Sequence, residues 1–170
     1  DYLDVRKSGS TLQIKLKPNF IYSKTTQRAT ITLPALNQLK VDGGSRANAS
    51  GFNSSHSASF YLSGGARLNL DEMKAGDTKF ESSGSGRIAG KIEVAGAQFN
   101  LSGGSVVDLK GSAVDGSIEA SGGSRLTLSD FRIKNVSVNL SGASAAVLNV
   151  SGKLDLTVSG GAKLSYSGNP

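Results

Sequence analysis

Apolar and polar residues alternate in short runs along most of the chain, and the same run returns at a nearly fixed interval. Phe99-Asn-Leu-Ser-Gly-Gly-Ser-Val-Val-Asp-Leu109 shows the unit: an apolar pair split by a polar residue, a glycine corner, then a second apolar pair. Its corner recurs in Leu39-Lys-Val-Asp-Gly-Gly-Ser-Arg46, Phe60-Tyr-Leu-Ser-Gly-Gly-Ala-Arg67 and Phe80-Glu-Ser-Ser-Gly-Ser-Gly-Arg87. Further copies are Ile118-Glu-Ala-Ser-Gly-Gly-Ser-Arg125, Val138-Asn-Leu-Ser-Gly-Ala-Ser-Ala145 and Leu156-Thr-Val-Ser-Gly-Gly-Ala-Lys163. The first glycines of the seven copies stand at 43, 64, 84, 103, 122, 142 and 160, so the spacings are 21, 20, 19, 19, 20 and 18. Such a period belongs to a solenoid, whose repeats bury their apolar face only against one another.

Aligned on the corner, the copies read as columns. Leu39, Phe60, Phe80, Phe99, Ile118, Val138 and Leu156 form one inward column, and Val41, Leu62, Ser82, Leu101, Ala120, Leu140 and Val158 form another. Between them Lys40, Tyr61, Glu81, Asn100, Glu119, Asn139 and Thr157 point outward, as the two-residue period of a strand requires. After the corner the inward pairs are Leu68 and Leu70, Val107 and Leu109, Leu126 and Leu128, and Leu164 and Tyr166. Ala146 to Val150 carries one residue too many for this pattern and reads as a bulge. The rest of each period, such as Lys110-Gly-Ser-Ala-Val-Asp-Gly116, suits a third, shorter side. The expected fold is all-β: a right-handed parallel β-helix, or β-solenoid, with about 20 residues per coil and coils about 4.8 Å apart. Phe60, Phe80 and Phe99 stack inside it. No stretch reads as a helix, because glycine, serine and β-branched residues fall every few positions.

Residues 1–35 lack the corner motif and read as leader strands to the seven repeats of 36–170, all within a single domain of 1–170. Leu12, Ile14 and Leu16 alternate with polar neighbours, as do Ala29, Ile31 and Leu33, which predicts two strands. Pro18-Asn19 breaks the first and Pro34 ends the second.

Composition chiefly excludes chemistry. The chain has no cysteine, so it holds neither a disulfide nor a thiolate, and His56 is its single histidine. That leaves no multi-histidine metal site, and the Ser-Ser-His-Ser setting of His56 reads as a loop. Glu81 and Glu119 share an outward column, but Asn100 lies between them, so their backbones stand about 10 Å apart. This is wider than the roughly 6.5–9.5 Å of an inverting glycosidase pair. Asp108, Asp115 and Asp130 fall at different phases of the coil. Calcium-binding glycine-rich repeats need an Asp in each turn, where this chain has Arg or Lys. The Ser-Gly-Gly corners open no helix and so cradle no phosphate. No enzymatic activity, metal or cofactor is expected. No apolar run approaches the roughly 20 residues needed to span a bilayer.

The net charge of +6 permits an anionic partner. One outward column concentrates it: the residues after the corner are Arg46, Arg67, Arg87, Val106, Arg125, Ala145 and Lys163. Arg46, Arg67, Arg87, Arg125 and Lys163 are therefore the candidate ligand-binding residues, since planar guanidinium forks suit carboxylate, phosphate or sulfate. The alternative is that their stems merely shield the strand beneath. Nucleic acid is not expected, because the neighbouring Asn48, Asn69, Asp108, Thr127 and Ser165 offer no aromatic ring for stacking.

Thr30-Ile-Thr-Leu-Pro-Ala-Leu-Asn-Gln-Leu-Lys-Val-Asp-Gly-Gly-Ser45, followed by Leu-Ser-Gly-Gly-Ser units, resembles the bacterial family called putative auto-transporter adhesin, head GIN domain. The resemblance implies a β-helical fold and export to the bacterial cell envelope or surface, periplasmic or extracellular. It also implies strands before Asp1 and chain beyond Pro170, so incomplete ends are expected, with self-association through open terminal coils. The leading reading is a non-catalytic surface protein, an adhesin binding acidic glycans or surface proteins through flat solenoid faces. A purely structural stalk is the alternative, and a polysaccharide-active β-helix enzyme is a third.

Overall fold

A strand's open backbone groups need partners, and the chain supplies them in two ways. The computed structural model describes residues 3–18 and 26–170, which fall into two compact units, Asp1–Leu33 and Pro34–Pro170.

In the first unit, β1 (Leu3–Ser8) and β2 (Thr11–Leu16) pair antiparallel from Leu3 opposite Leu16 to Ser8 opposite Thr11. The strand predicted around Leu12, Ile14 and Leu16 is thus present, and Pro18 follows its end in a turn, while Asn19 lies outside the described residues. The second predicted leader strand is absent: residues 26–33 form no strand, and Ile31 and Leu33 are exposed. Alternation there meets no neighbouring strand among the described residues to complete a ladder, so the pattern alone does not impose the conformation.

The second unit is a parallel solenoid. Its strands before each corner are β3 (Gln38–Val41), β5 (Ala58–Leu62), β7 (Thr78–Ser82) and β9 (Gly96–Leu101). The ends of β10 (Val106–Ala120) and β11 (Arg125–Leu140), then β13 (Leu154–Val158), continue this ladder. The strands after the corner, β4 (Arg46–Ser50), β6 (Arg67–Ala75), β8 (Arg87–Val94), the starts of β10 and β11, β12 (Ala145–Val150) and β14 (Lys163–Gly168), form the second. In β10 and β11 the chain continues through the third side without a break in strand structure. The solenoid makes about seven turns.

The inward columns fill the core. Phe60, Phe80 and Phe99 are each 0% exposed and stack with ring centroids 5.5 and 4.9 Å apart and interplanar angles of 21° and 9°. Phe131, which the columns do not reveal, is also fully buried and meets Phe99 edge-on at 6.4 Å. It enters through an insertion: Leu128 pairs with Leu148 but Arg132 pairs with Asn149, so Ser129, Asp130 and Phe131 bulge from β11. This corrects the bulge expected at Ala146–Val150, since β12 runs in unbroken register against β14. A second insertion in β6 puts Glu72 at φ 50°, between Leu70 and Met73. The last coil departs from expectation as well. Leu156, Val158 and Tyr166 are 47%, 41% and 53% exposed, because β13 and β14 each have a ladder partner on one side only.

Each corner needs one glycine. The first corner glycine has positive φ in all seven copies, and a Cβ on Gly122 (φ 69°) would lie 2.7 Å from the Gly103 carbonyl oxygen of the preceding coil. The second position carries no such restriction and holds Ser85 and Ala143 in two copies. Two residues past the first glycine the side chain turns inward into a tight space, filled by Ala66, Gly86, Ser105, Ser124 and Ser144. The three serine hydroxyls donate to the carbonyls of Ser102, Ser121 and Ser141 at 2.8 Å, closing the bend. The backbone continues the ladders around it in three rows. Ser63, Ser83, Ser102, Ser121, Ser141 and Ser159 N–H groups donate to the preceding coil, as do those of Gly65, Ser85, Gly104, Gly123 and Ala143. Arg67, Arg87, Val106, Arg125, Ala145 and Lys163 form the third row.

Candidate functional site

The two faces that meet at the corner differ in chemistry. On the face after it, Arg46 stands opposite Arg67 and Arg67 opposite Arg87, on three consecutive coils. Val106 then intervenes before Arg125, and Ala145 before Lys163, so the column is continuous in register but broken in charge. All five basic side chains are exposed, and none makes an ion pair among the described residues. Successive attachment points in the arginine run are about 4.8 Å apart.

Several acids pair with lysines beyond the column. Lys74 binds Glu93 at 2.8 Å, Lys91 binds Glu72 at 3.3 Å and Lys110 binds Asp130 at 3.0 Å, each across neighbouring coils beyond the stripe. The hydrogen bond from Lys74 and then its charge hold the Glu93 carboxyl below its ordinary 4.5, and the same bond raises Lys74 above 10.5. Glu81 pairs with Lys79, whose pKa the bond raises. Asp115 accepts a hydrogen bond from Asn135 at 3.0 Å, and Asp108 is exposed.

The face before the corner carries a concavity the sequence does not disclose. Lys40, Tyr61, Glu81, Asn100, Glu119 and Asn139 line a shallow groove of about 660 Å³, with the corner serines along its margin. These residues are adjacent in the ladders, so the groove crosses six coils and extends about 24 Å. The Lys40 ammonium lies 5.3 Å from the centroid of the Tyr61 ring. Asn100 sits between Glu81 and Glu119, as expected from the columns, and its Oδ1 is buried without a hydrogen-bond partner. The other such atom among the described residues is Ser82 Oγ, where Leu62 and Leu101 occupy the flanking coils.

Neither face assembles recognisable catalytic machinery. No group of three His, Cys, Asp or Glu side chains among the described residues could hold a metal ion. His56 is exposed and its Nδ1 lies 2.9 Å from Ser54 Oγ, a local loop contact. No described helix is long and apolar enough to cross a membrane.

Stacked parallel coils with long side-chain ladders on their faces define a parallel β-solenoid. The chain belongs to the family described as putative auto-transporter adhesin, head GIN domain, whose model matches residues 1–170. No curated protein and no solved structure matches it. Family and fold together support a non-catalytic role of envelope or adhesin type.

Proposed function

We propose that this chain acts at the outer face of the bacterial envelope as a non-catalytic adhesin, holding an acidic glycan or another polyanion along its basic stripe. The observation carrying this reading is the run Arg46, Arg67 and Arg87 on adjacent coils, exposed and without ion pairs among the described residues. Three guanidinium groups at the ladder spacing engage several charges of one polymer, weakly at each site and with avidity from repetition. Changing all three to Gln leaves the core untouched. Titration with a sulfated or uronic-acid polysaccharide at low salt is expected to lose most of its binding in the triple variant. Parent binding is expected to fall as salt rises, since the Debye length is about 10 Å at 0.1 M. Undiminished binding by the folded triple variant returns the arginines to a shielding role. Val106 and Ala145, which interrupt the charge, favour a second reading in which the solenoid is a structural stalk and the basic stems cover its strands. A parent chain that binds no polyanion decides for that reading.

A further inference from the structure

The groove before the corner has chemistry opposite to the stripe, and the acidic-polymer reading does not use it. Its floor is a parallel ladder whose N–H and C=O groups already bond to neighbouring coils, so an extended peptide finds no backbone edge to pair with. Only side chains are on offer. These are the Asn139 amide, the Glu81 and Glu119 carboxylates, the corner hydroxyls and the Tyr61 ring, repeating at about 4.8 Å along the axis. Of the charged groups at its wall, Lys40 opposes Asp42, Glu81 and Glu119, and Glu81 is already tied to Lys79. Asp42 and Glu119 make no ion pair among the described residues. A polyanion laid here meets unpaired carboxylates, while a polymer of hydroxyls supplies donors that those carboxylates accept.

From this we infer that the groove lined by Tyr61, Glu81, Asn100, Glu119 and Asn139 is a binding site for an uncharged polysaccharide chain lying parallel to the solenoid axis. The volume suits a segment of a few sugar rings, within the roughly 300–1,000 Å³ of ligand sites. Glu119 and Asn139 accept from and donate to ring hydroxyls, and Tyr61 offers apolar ring surface to a sugar beside the Lys40 ammonium. The site is separate from the basic stripe, so either can fail without the other.

The test titrates the full chain by calorimetry with soluble neutral polysaccharides, namely an α-glucan, a β-glucan, a mannan and a galactan, at low and high salt. At least one is expected to bind, with affinity nearly independent of salt and unaltered by the Arg46, Arg67 and Arg87 to Gln changes. Glu119→Ala with Asn139→Ala, both on exposed positions, is expected to weaken binding by about tenfold or more, the size of a lost hydrogen bond to a charged group. Tyr61→Ala is the second variant, expected to act in the same direction, with circular dichroism and thermal unfolding verifying that both fold. Absence of binding to every neutral polymer overturns the inference. So does binding restricted to acidic polymers or basic peptides, or full affinity in both folded variants.

Discussion

The middle coils and the last coil follow one pattern and arrive at different burial. Val138 and Leu156 occupy the same inward column, as do Leu140 and Val158, or Leu148 and Tyr166. The first of each pair is buried and the second is about half exposed. The residue type does not explain this, since Leu156 is as apolar as Val138. A coil in the middle is covered above and below, whereas β13 and β14 have one neighbour each. The β1–β2 hairpin teaches the same lesson within its own unit, where alternation leaves Val5, Leu12 and Leu16 exposed. Period two sets the side on which an apolar residue lies; stacking determines whether water reaches it.

The sharpest way to break this comparison is truncation in the two places. Phe80 lies between Phe60 and Phe99, so Phe80→Ala is expected to cost about 3–5 kcal/mol as a cavity in a rigid stack. Leu156→Ala, already half solvated, is expected to cost about 1 kcal/mol. Urea unfolding together with amide hydrogen exchange reads both the global loss and the local opening, and equal costs would sink the stacking argument. The corner sharpens it at smaller scale. Gly122→Ala forces a side chain into positive φ against Gly103 and is expected to cost about 1–3 kcal/mol. Gly123→Ala, whose Cβ would sit 3.8 Å from the Gly103 oxygen, is expected to stay within about 0.5 kcal/mol. Matching thermal midpoints for the two variants would contradict the corner geometry.

The smallest effect concerns the Lys74–Glu93 tie between β6 and β8. Glu93 is depressed in the folded chain, so its contribution is present above the ordinary 4.5 and is lost as pH falls through the lower folded value. Lys74 is raised, so its contribution is complete below 10.5 and is lost as pH rises through the higher folded value. Both groups are solvent-exposed, so the expected effect is slight and salt-sensitive. Comparing parent and Glu93→Gln unfolding across the acid range checks it: the difference should shrink below pH 4.5 and at high salt.

Much of this was legible because register in a parallel ladder copies sequence spacing. The phenylalanine stack, the glycine corners and the arginine run all follow from columns aligned on one glycine. Phe131 escaped because it lies within the bulge that shifts the phase of β11, and a column reading attributes the misfit to the next strand, at Ala146–Val150. Ala29, Ile31 and Leu33 misled for the opposite reason, since their alternation was intact but had no partner strand among the described residues. The groove residues were recognised as an outward column, yet concavity depends on how neighbouring side chains and the corner rise around them. Spacing carries no record of that.

The three corner rows have a further consequence, in the chain's long-range field. In those rows each N–H, from Ser63, Gly65 and Arg67 to Ser159 and Lys163, points toward the preceding coil, and the carbonyls that precede it, such as Leu62, Gly64 and Ala66, point toward the next. Elsewhere in a sheet successive peptides oppose one another and leave little net dipole. Here the paired peptides of each corner share one direction, while intervening carbonyls such as those of Ser102, Ser121 and Ser141 turn to groups of their own coil instead of opposing them. The corner edge of the solenoid is therefore electrically directional, its N–H ends facing the coil that carries Arg46.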